Sequence, residues 1–153
     1  MESSRPDLAA LGEVYPRYLN AVVLHGLATA QALGMGPTDL YAMGALALEG
    51  RLTSGELAVR TGLTTGATTR LIDRLEQRGL VRRVLDPEDR RRVLVEAVES
   101  DGVDLDAALS PARRNLEAIF ASFDPDQIAV LADYFARAAP AFRAAVEEIR
   151  KGE

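Results

Sequence analysis

The chain has 153 residues, enough for one domain that buries roughly 70% of its unfolded surface without disulfide or metal staples. It has no cysteine and one histidine, which excludes thiol catalysis, thiolate metal sites and histidine clusters, so no metal or other cofactor is expected. The net charge of −5 argues at first against a nucleic-acid partner, but charge has to be counted by region. Thr38 to Val95 holds ten arginines against eight acids, while the rest of the chain carries eight bases against fifteen acids. A basic reading element in an acidic frame is compatible with DNA, because the local field at the phosphates matters most. With no charged-then-apolar leader and no apolar run near 18 residues, a cytoplasmic protein with no membrane partner is expected.

From about Pro6 to Leu33, Leu8, Leu11, Tyr15, Tyr18, Leu19 and Val22 recur at helical intervals, which predicts one long helix with a broad apolar face. His25 lies in it and reads as a partly buried histidine bonded to a neighbour, with a pocket role as the alternative. Gly34, Gly36 and Pro37 break the pattern. Thr38 or a neighbour can then cap a second helix through Leu40, Met43, Leu46 and Leu48, ending at Gly50. Arg51 to Thr53 reads as a short extended link.

Thr53-Ser54-Gly55-Glu56 has the spacing of a capping box, so a helix should start there, with Leu57, Ala58 and Leu63 as its apolar contacts. Gly62 stands where a left-handed residue would end it. Thr64 can cap the next helix, whose inward face is Thr68, Leu71, Ile72 and Leu75 and which Gly79 closes. Its outward face is Thr65, Gly66, Thr69, Arg70, Asp73, Arg74 and Gln77. Small residues at the leading turn, Thr65, Gly66 and Ala67, allow close approach to a surface. Arginine can take a guanine edge bidentately and threonine can meet a thymine methyl. Arg70 is the best candidate for a base contact; the alternative is that Arg70 and Arg74 are solvated charges pairing with Asp73 or Glu76.

Leu80–Leu85 and Arg92–Val98 read as the strands of a hairpin around Asp86-Pro87-Glu88-Asp89-Arg90-Arg91. A guanidinium on such a tip suits a narrow, electronegative minor groove, and Asp89 could orient Arg91 by a charge-assisted bond. Charged tips are also common simply because they are exposed.

Three runs, GELAVRTGLT, TRLIDRLEQRGLVRR and DPEDRRRVLV, resemble the winged helix-turn-helix of the MarR family of bacterial transcriptional regulators. The resemblance is close over Thr38 to Val95 and extends to the flanking helices in length and pattern. It implies a mainly α (α+β) fold, a winged helix-turn-helix with long N- and C-terminal dimerisation helices. It also implies an obligate two-fold homodimer, a recognition helix from Thr64 to Arg78, and a wing arginine reaching the minor groove. Asp89 and Arg91 fall on the family's DxR pair, beside Arg90; Thr65, Gly66, Ala67, Thr69 and Arg70 fall on its base-reading turn, with Thr64 before it and Arg74 after it. The sequence departs from many members in the smallness of Gly66 and Ala67, and in ending its second wing strand on Ala97-Val98.

After an acidic stretch, Asp101 to Leu109, Ser110-Pro111 reads as a cap with proline in the first turn of a helix bearing Leu116, Ile119, Phe120 and Phe123. Asp124-Pro125 repeats the device. The last helix carries Ile128, Leu131, Phe135, Ala138, Phe142, Val146 and Ile149, a near-heptad stripe for which a dimer interface is the natural sink. Pro140 should kink or interrupt it. Together with Leu8 and Leu11 the stripe gives the expected dimerisation residues. The expected organisation is an N-terminal helix over 1–37, a winged region over 38–98 and C-terminal helices over 99–153, in one compact chain fold.

The resemblance further implies a pocket for a small aromatic or amphipathic ligand between the dimerisation helices and the winged region, for which Tyr15, Tyr18, His25, Tyr41 and Met43 are candidates. The expected function is a homodimeric regulator, a repressor, on a pseudo-palindromic site in double-stranded DNA. The rival is a winged-helix protein-interaction module. An enzyme is not expected, since no phosphate-cradling glycine motif follows a strand and no carboxylate pair is expected to meet in a cleft.

Overall fold

The computed structural model describes residues 9–99 and 104–152. In chain order these form α1 (Ala9–Ala32), α2 (Pro37–Glu49), β1 (Leu52–Thr53), α3 (Ser54–Thr61), α4 (Thr65–Gln77), β2 (Val81–Leu85), β3 (Val93–Ala97), α5 (Leu105–Phe120) and α6 (Pro125–Lys151). They divide at Ala108 and Leu109, within α5, into two compact units. Leu8 lies outside the described residues, as does part of the acidic stretch that opens at Asp101.

The core of the first unit is built by α2, α3, α4 and the sheet. Ala42, Met43, Ala45 and Leu46 of α2 meet Leu57 of α3, Leu71, Ile72 and Leu75 of α4, and Leu52, Leu80, Val81 and Val95 of the sheet region. Each fully buried leucine or isoleucine here contributes about 1.5–3 kcal/mol. The predicted inward face of α4 is the buried one, Thr68 included. Leu48, expected on the apolar face of α2, is instead 89% exposed, because the face that meets the core is set by the small residues Ala42 and Ala45. Thr38 is not the cap of α2 either. Gly36 occupies the cap position without a side-chain bond and Pro37 follows it, the place where a missing N–H costs nothing.

The capping box of α3 is present as predicted. Thr53 Oγ1 accepts from the Glu56 N–H at 3.2 Å, the Glu56 carboxylate accepts from the Thr53 N–H at 2.7 Å, and Gly62 ends the helix in the left-handed region at φ 68. The link before it is more ordered than expected. Leu52 and Thr53 form a third strand, pairing antiparallel with Val95 and Leu94, which makes a sheet of order β1-β3-β2.

The start of α5 differs from the prediction. The helix begins at Leu105, with Ala107 N–H donating to Asp104 Oδ1 at 2.8 Å, so Ser110 and Pro111 lie inside it. Asp104 offers an earlier cap, and an interior proline removes only one intrahelical bond. Asp124 and Gln127 form a second capping box with Pro125 behind the cap. Pro140 does not interrupt α6, which runs on to Lys151. Neither α5 nor α6 buries a residue.

Glu56 sets one acid limit of this fold. Its hydrogen bonds from Thr53, backbone first, hold its carboxyl below the ordinary value of 4.5. A depressed carboxylate stabilises the fold above its unfolded pKa, and the contribution is lost as pH falls through the lower folded value. Glu56→Gln should therefore flatten the decline of stability below about pH 4.5, read by thermal melts from pH 7 to pH 3. An acid limb as steep as that of the parent would remove Glu56 from this role.

Candidate nucleic-acid interface

The site begins at the cap of α4. Thr64 Oγ1 accepts from the Ala67 N–H at 3.3 Å, which fixes where the helix starts and turns Thr65, Gly66, Thr69 and Arg70 to the exposed face. Ala67 is half-buried and belongs to the edge of that face. Thr69 Oγ1 donates to the Thr65 carbonyl at 3.0 Å, so its hydrogen is engaged and it offers outward a methyl group and acceptor lone pairs. A Cβ added at Gly66 would meet nothing within 4 Å. Nothing within the fold requires a glycine there.

The helix ends in a Schellman turn, with Gly79 at φ 68, the Gly79 N–H on the Glu76 carbonyl and the Leu80 N–H on the Leu75 carbonyl. This turn delivers the chain into β2. β2 and β3 pair from Val81 with Ala97 to Leu85 with Val93, giving the wing. Arg83 on β2 pins it to α4: Nη2 donates to Asp73 Oδ1 at 2.6 Å, Nη1 to Glu76 Oε2, and the backbone N–H to Glu76 Oε1 at 3.1 Å. Across the sheet Glu96 accepts from Arg82 and Arg51, and these bonds, that from Arg82 first, hold its carboxyl below the ordinary range.

At the wing tip Asp89 does not orient the Arg91 guanidinium. Its Oδ1 accepts from the Arg91 backbone N–H at 3.0 Å, an Asx turn two residues ahead, and its carbonyl accepts from the Arg92 N–H at 2.9 Å. Asp86 does the same for the Glu88 N–H at 2.9 Å. Both acids shape the loop through backbone donors, which leaves the tip guanidiniums to solvent.

The ten arginines of the central stretch fall into two groups. Arg51, Arg60, Arg82, Arg83 and Arg92 lie within ion-pair distance of carboxylates. Arg74 pairs with Asp39 and Arg78 donates to the Leu33 and Gly34 carbonyls. Among the described residues, the side chains of Arg70, Arg90 and Arg91 make no hydrogen bond or ion pair. These are the one on the front of α4 and the two at the wing tip. An unpaired guanidinium meets a phosphate or base edge without first breaking an internal bond.

A cavity of about 310 Å³ is lined by Met35, Met43, Ala47, Leu80, Ala97, Val98, Glu99 and Leu105. Of the predicted set it includes Met43 alone. Tyr18 and Tyr41 are exposed, and Tyr15 and His25 are half-buried on α1. The sequence could not show that small residues of α2 and the ends of the wing strands leave this gap. Asp39, Arg78 and Arg83 were also missed as contributors to the site's geometry, since their partners lie up to 45 residues away in sequence.

A helix pair joined by a glycine turn, followed by a two-stranded wing and with unpaired arginines on both projecting elements, defines a winged helix-turn-helix DNA-binding protein. The MarR family profile matches residues 33–92. The chain is 33% identical over 150 residues to the HTH-type transcriptional regulator YcgE of Bacillus subtilis, covering 97% of each chain. It is 29% identical over 90 residues to the HTH-type transcriptional repressor MdtR of the same organism, covering 59% of this chain and 57% of that one. Its fold matches a MarR family protein from Bacillus stearothermophilus with a TM-score of 0.67 at 25% identity, covering 88% of this chain and 94% of the other. The chain belongs to the MarR family of winged helix-turn-helix transcriptional regulators. No helix among the described residues is long and apolar enough to cross a membrane.

Arg83→Ala should loosen the wing on α4 without unfolding the unit. Because Arg83 is one-third exposed, the cost is held to about 1 kcal/mol. Amide exchange should rise in β2 and β3 while the helical circular dichroism stays unchanged; exchange identical to the parent would mean that the hairpin is held by other contacts.

Proposed function

We propose that the chain is a homodimeric repressor that reads a pseudo-palindromic operator, with the front of α4 in the major groove and the wing tip in the minor groove. The observation that carries this is the set of unpaired arginines: Arg70 on the recognition helix, Arg90 and Arg91 on the wing. Thr64, Thr65, Gly66, Ala67 and Thr69 make up the rest of the approach surface, with Asp89 shaping the wing loop. Two-fold pairing would place half-sites about one helical turn, roughly 34–36 Å, apart. The repressor reading draws on the relative MdtR, whose name states that role.

Dimerisation is supported by apolar surface without cover. Phe135, Phe142, Val146 and Ile149 of α6 are exposed, as are Leu11, Val14, Tyr18 and Val22 of α1. Soluble monomers rarely leave contiguous surface of this kind in water, and a symmetric partner would bury it. Ile128 and Leu131 continue the α6 stripe. Release by a small amphipathic ligand is supported by the cavity around Met35, Met43 and Leu105, whose walls are apolar except at Glu99. Such a ligand would act by binding the DNA-competent and incompetent dimers with different affinity.

Footprinting across a salt series tests the reading, because counterion release makes groove binding steep in salt. Protection over two half-sites that fades as salt rises is expected; salt-insensitive capture of a protein partner and no footprint would favour an interaction module. Arg91→Ala should weaken binding to most duplexes alike, whereas Arg70→Ala should cost about 1–3 kcal/mol and relax preference at one base position. Gly66→Ala separates fold from function. With open space around its Cβ, it should leave stability unchanged or raise it by up to about 1 kcal/mol, yet reduce operator affinity. Full affinity in that variant would show that the helix does not approach DNA closely there.

A further inference from the structure

Arg74 stands on the outward side of α4, one turn beyond Arg70, yet its guanidinium is turned to a different task. Nε donates to Asp39 Oδ2 at 2.9 Å and Nη2 to Asp39 Oδ1 at 2.5 Å, a bidentate pair of the kind that fixes orientation as well as distance. Asp39 is only 3% exposed and sits in the first turn of α2. One turn further along α4, Arg78 donates from Nη1 to the Gly34 carbonyl at 2.9 Å and from Nη2 to the Leu33 carbonyl at 3.0 Å. Those carbonyls close α1, where a Schellman turn puts the Gly34 N–H on Gln31 and the Met35 N–H on Ala30. A cation there also meets the negative end of the α1 dipole.

Both arginines therefore reach the same corner, residues 33–39, from two successive turns of one helix. Two attachment points a helical turn apart restrain both the tilt of α4 and its rotation about its own axis, which a single contact cannot do. The apolar face of α4 allows small rolls, since Leu71, Ile72 and Leu75 meet side chains that can repack. A bidentate bond to a buried carboxylate does not.

We propose that Arg74, with Arg78, is a positioning residue for DNA reading: through Asp39 and the Leu33 and Gly34 carbonyls it sets the angle at which α4 presents Thr65 to Arg70, and it is not itself a DNA contact. The proposal rests on the reading that α4 enters the groove. The corner it uses also carries Met35, a wall of the cavity, so the recognition helix and the cavity share a boundary.

The test compares the parent with Asp39→Asn, Arg74→Gln, the double variant and Arg70→Ala. The probes are a duplex selected by the parent from a random library and a shuffled duplex of equal composition, with affinities measured by fluorescence anisotropy over a salt series. Asp39 is buried, so Asp39→Asn alters the partner of Arg74 without changing an exposed side chain, and the double variant shows whether its effect passes through Arg74. Asp39→Asn and Arg74→Gln should each lower the selected-to-shuffled preference by about ten-fold, within the range that misplaced base contacts cover. The double variant should be no worse than either single, and the salt slope should be unchanged. If Arg74→Gln lowers that slope by about 1 while Asp39→Asn behaves as the parent, Arg74 is a phosphate contact and the proposal falls. It falls also if neither variant alters preference while Arg70→Ala does, with the groove reading intact. If Arg70→Ala too has no effect, the groove reading falls and the positioning role with it. Thermal melts check that each variant is folded at the assay temperature. Should Asp39→Asn not be, Arg74→Gln, on a side chain 52% exposed, decides through its preference and slope.

Discussion

Burial of one side of α4 is the constraint from which the winged unit follows. Thr68, Leu71, Ile72 and Leu75 go into the core, and once they are there the helix has no freedom to choose its other side. Thr65, Gly66, Thr69 and Arg70 face outward because 3.6 residues per turn puts them there. The Thr64 cap fixes the first residue that can project, and the Gly79 turn fixes the direction in which β2 leaves. Asp73 and Glu76, on the flank between the two sides, then hold Arg83 and with it the wing. The proposed reading surface, made of two separate projections, is thus referenced to a single buried stripe.

That stripe is local, and locality decides what could be read from the sequence. Caps, capping boxes and helical periods act over three to seven residues, so α3, α4, the Asp124 cap and the hairpin were all legible. Elements defined by a distant partner were not. Leu52 and Thr53 become a strand only because Val95 and Leu94 come alongside, and two residues carry no period. The start of α5 was misplaced because Ser110-Pro111 is a good local cap; Asp104 provides one earlier. Leu48 fits the helical spacing of α2 as well as Leu46 does, and only the approach of α3 and the sheet shows which is buried. The site divides in the same way. The exposed residues of α4 and the arginines of the tip followed from pattern, whereas the Asp89 carboxylate, read as a partner for a guanidinium, is engaged by a backbone N–H two residues on. Asx turns form without help from the rest of the fold, and a loop with Asp at positions 86 and 89 favours them over a side-chain pair.

The two units differ in how they close. The first buries a continuous core of aliphatic side chains; in the second, no residue of α6 is buried, although the helix carries Ile128, Tyr134, Phe135, Phe142, Val146 and Ile149. Helix propensity and a capping box suffice to start such a helix, but 27 residues of amphipathic helix gain most of their stability from what covers the apolar face. The proposed homodimer would supply that cover, coupling the folding of α6 to association, so that reading DNA in duplicate and completing the fold become one event.

The distribution of charge resolves the apparent conflict between an acidic chain and an acidic partner. Counting by region brings the central stretch only to a slight excess of arginine. Pairing is the more informative count. Asp39, Glu49, Asp73, Glu76 and Asp86 each lie beside a guanidinium that has a structural task, and each such pair is close to neutral at a distance. What remains is Arg70 on one projection and Arg90 and Arg91 on the other. Acidic surplus elsewhere acts through water and salt, where fields decay over about 8 Å at physiological ionic strength. An unpaired guanidinium in contact with a phosphate acts inside that length. Acids in this sequence therefore do not oppose a nucleic-acid partner; by occupying the arginines that shape the fold, they leave the projecting arginines as the ones open to a new anion.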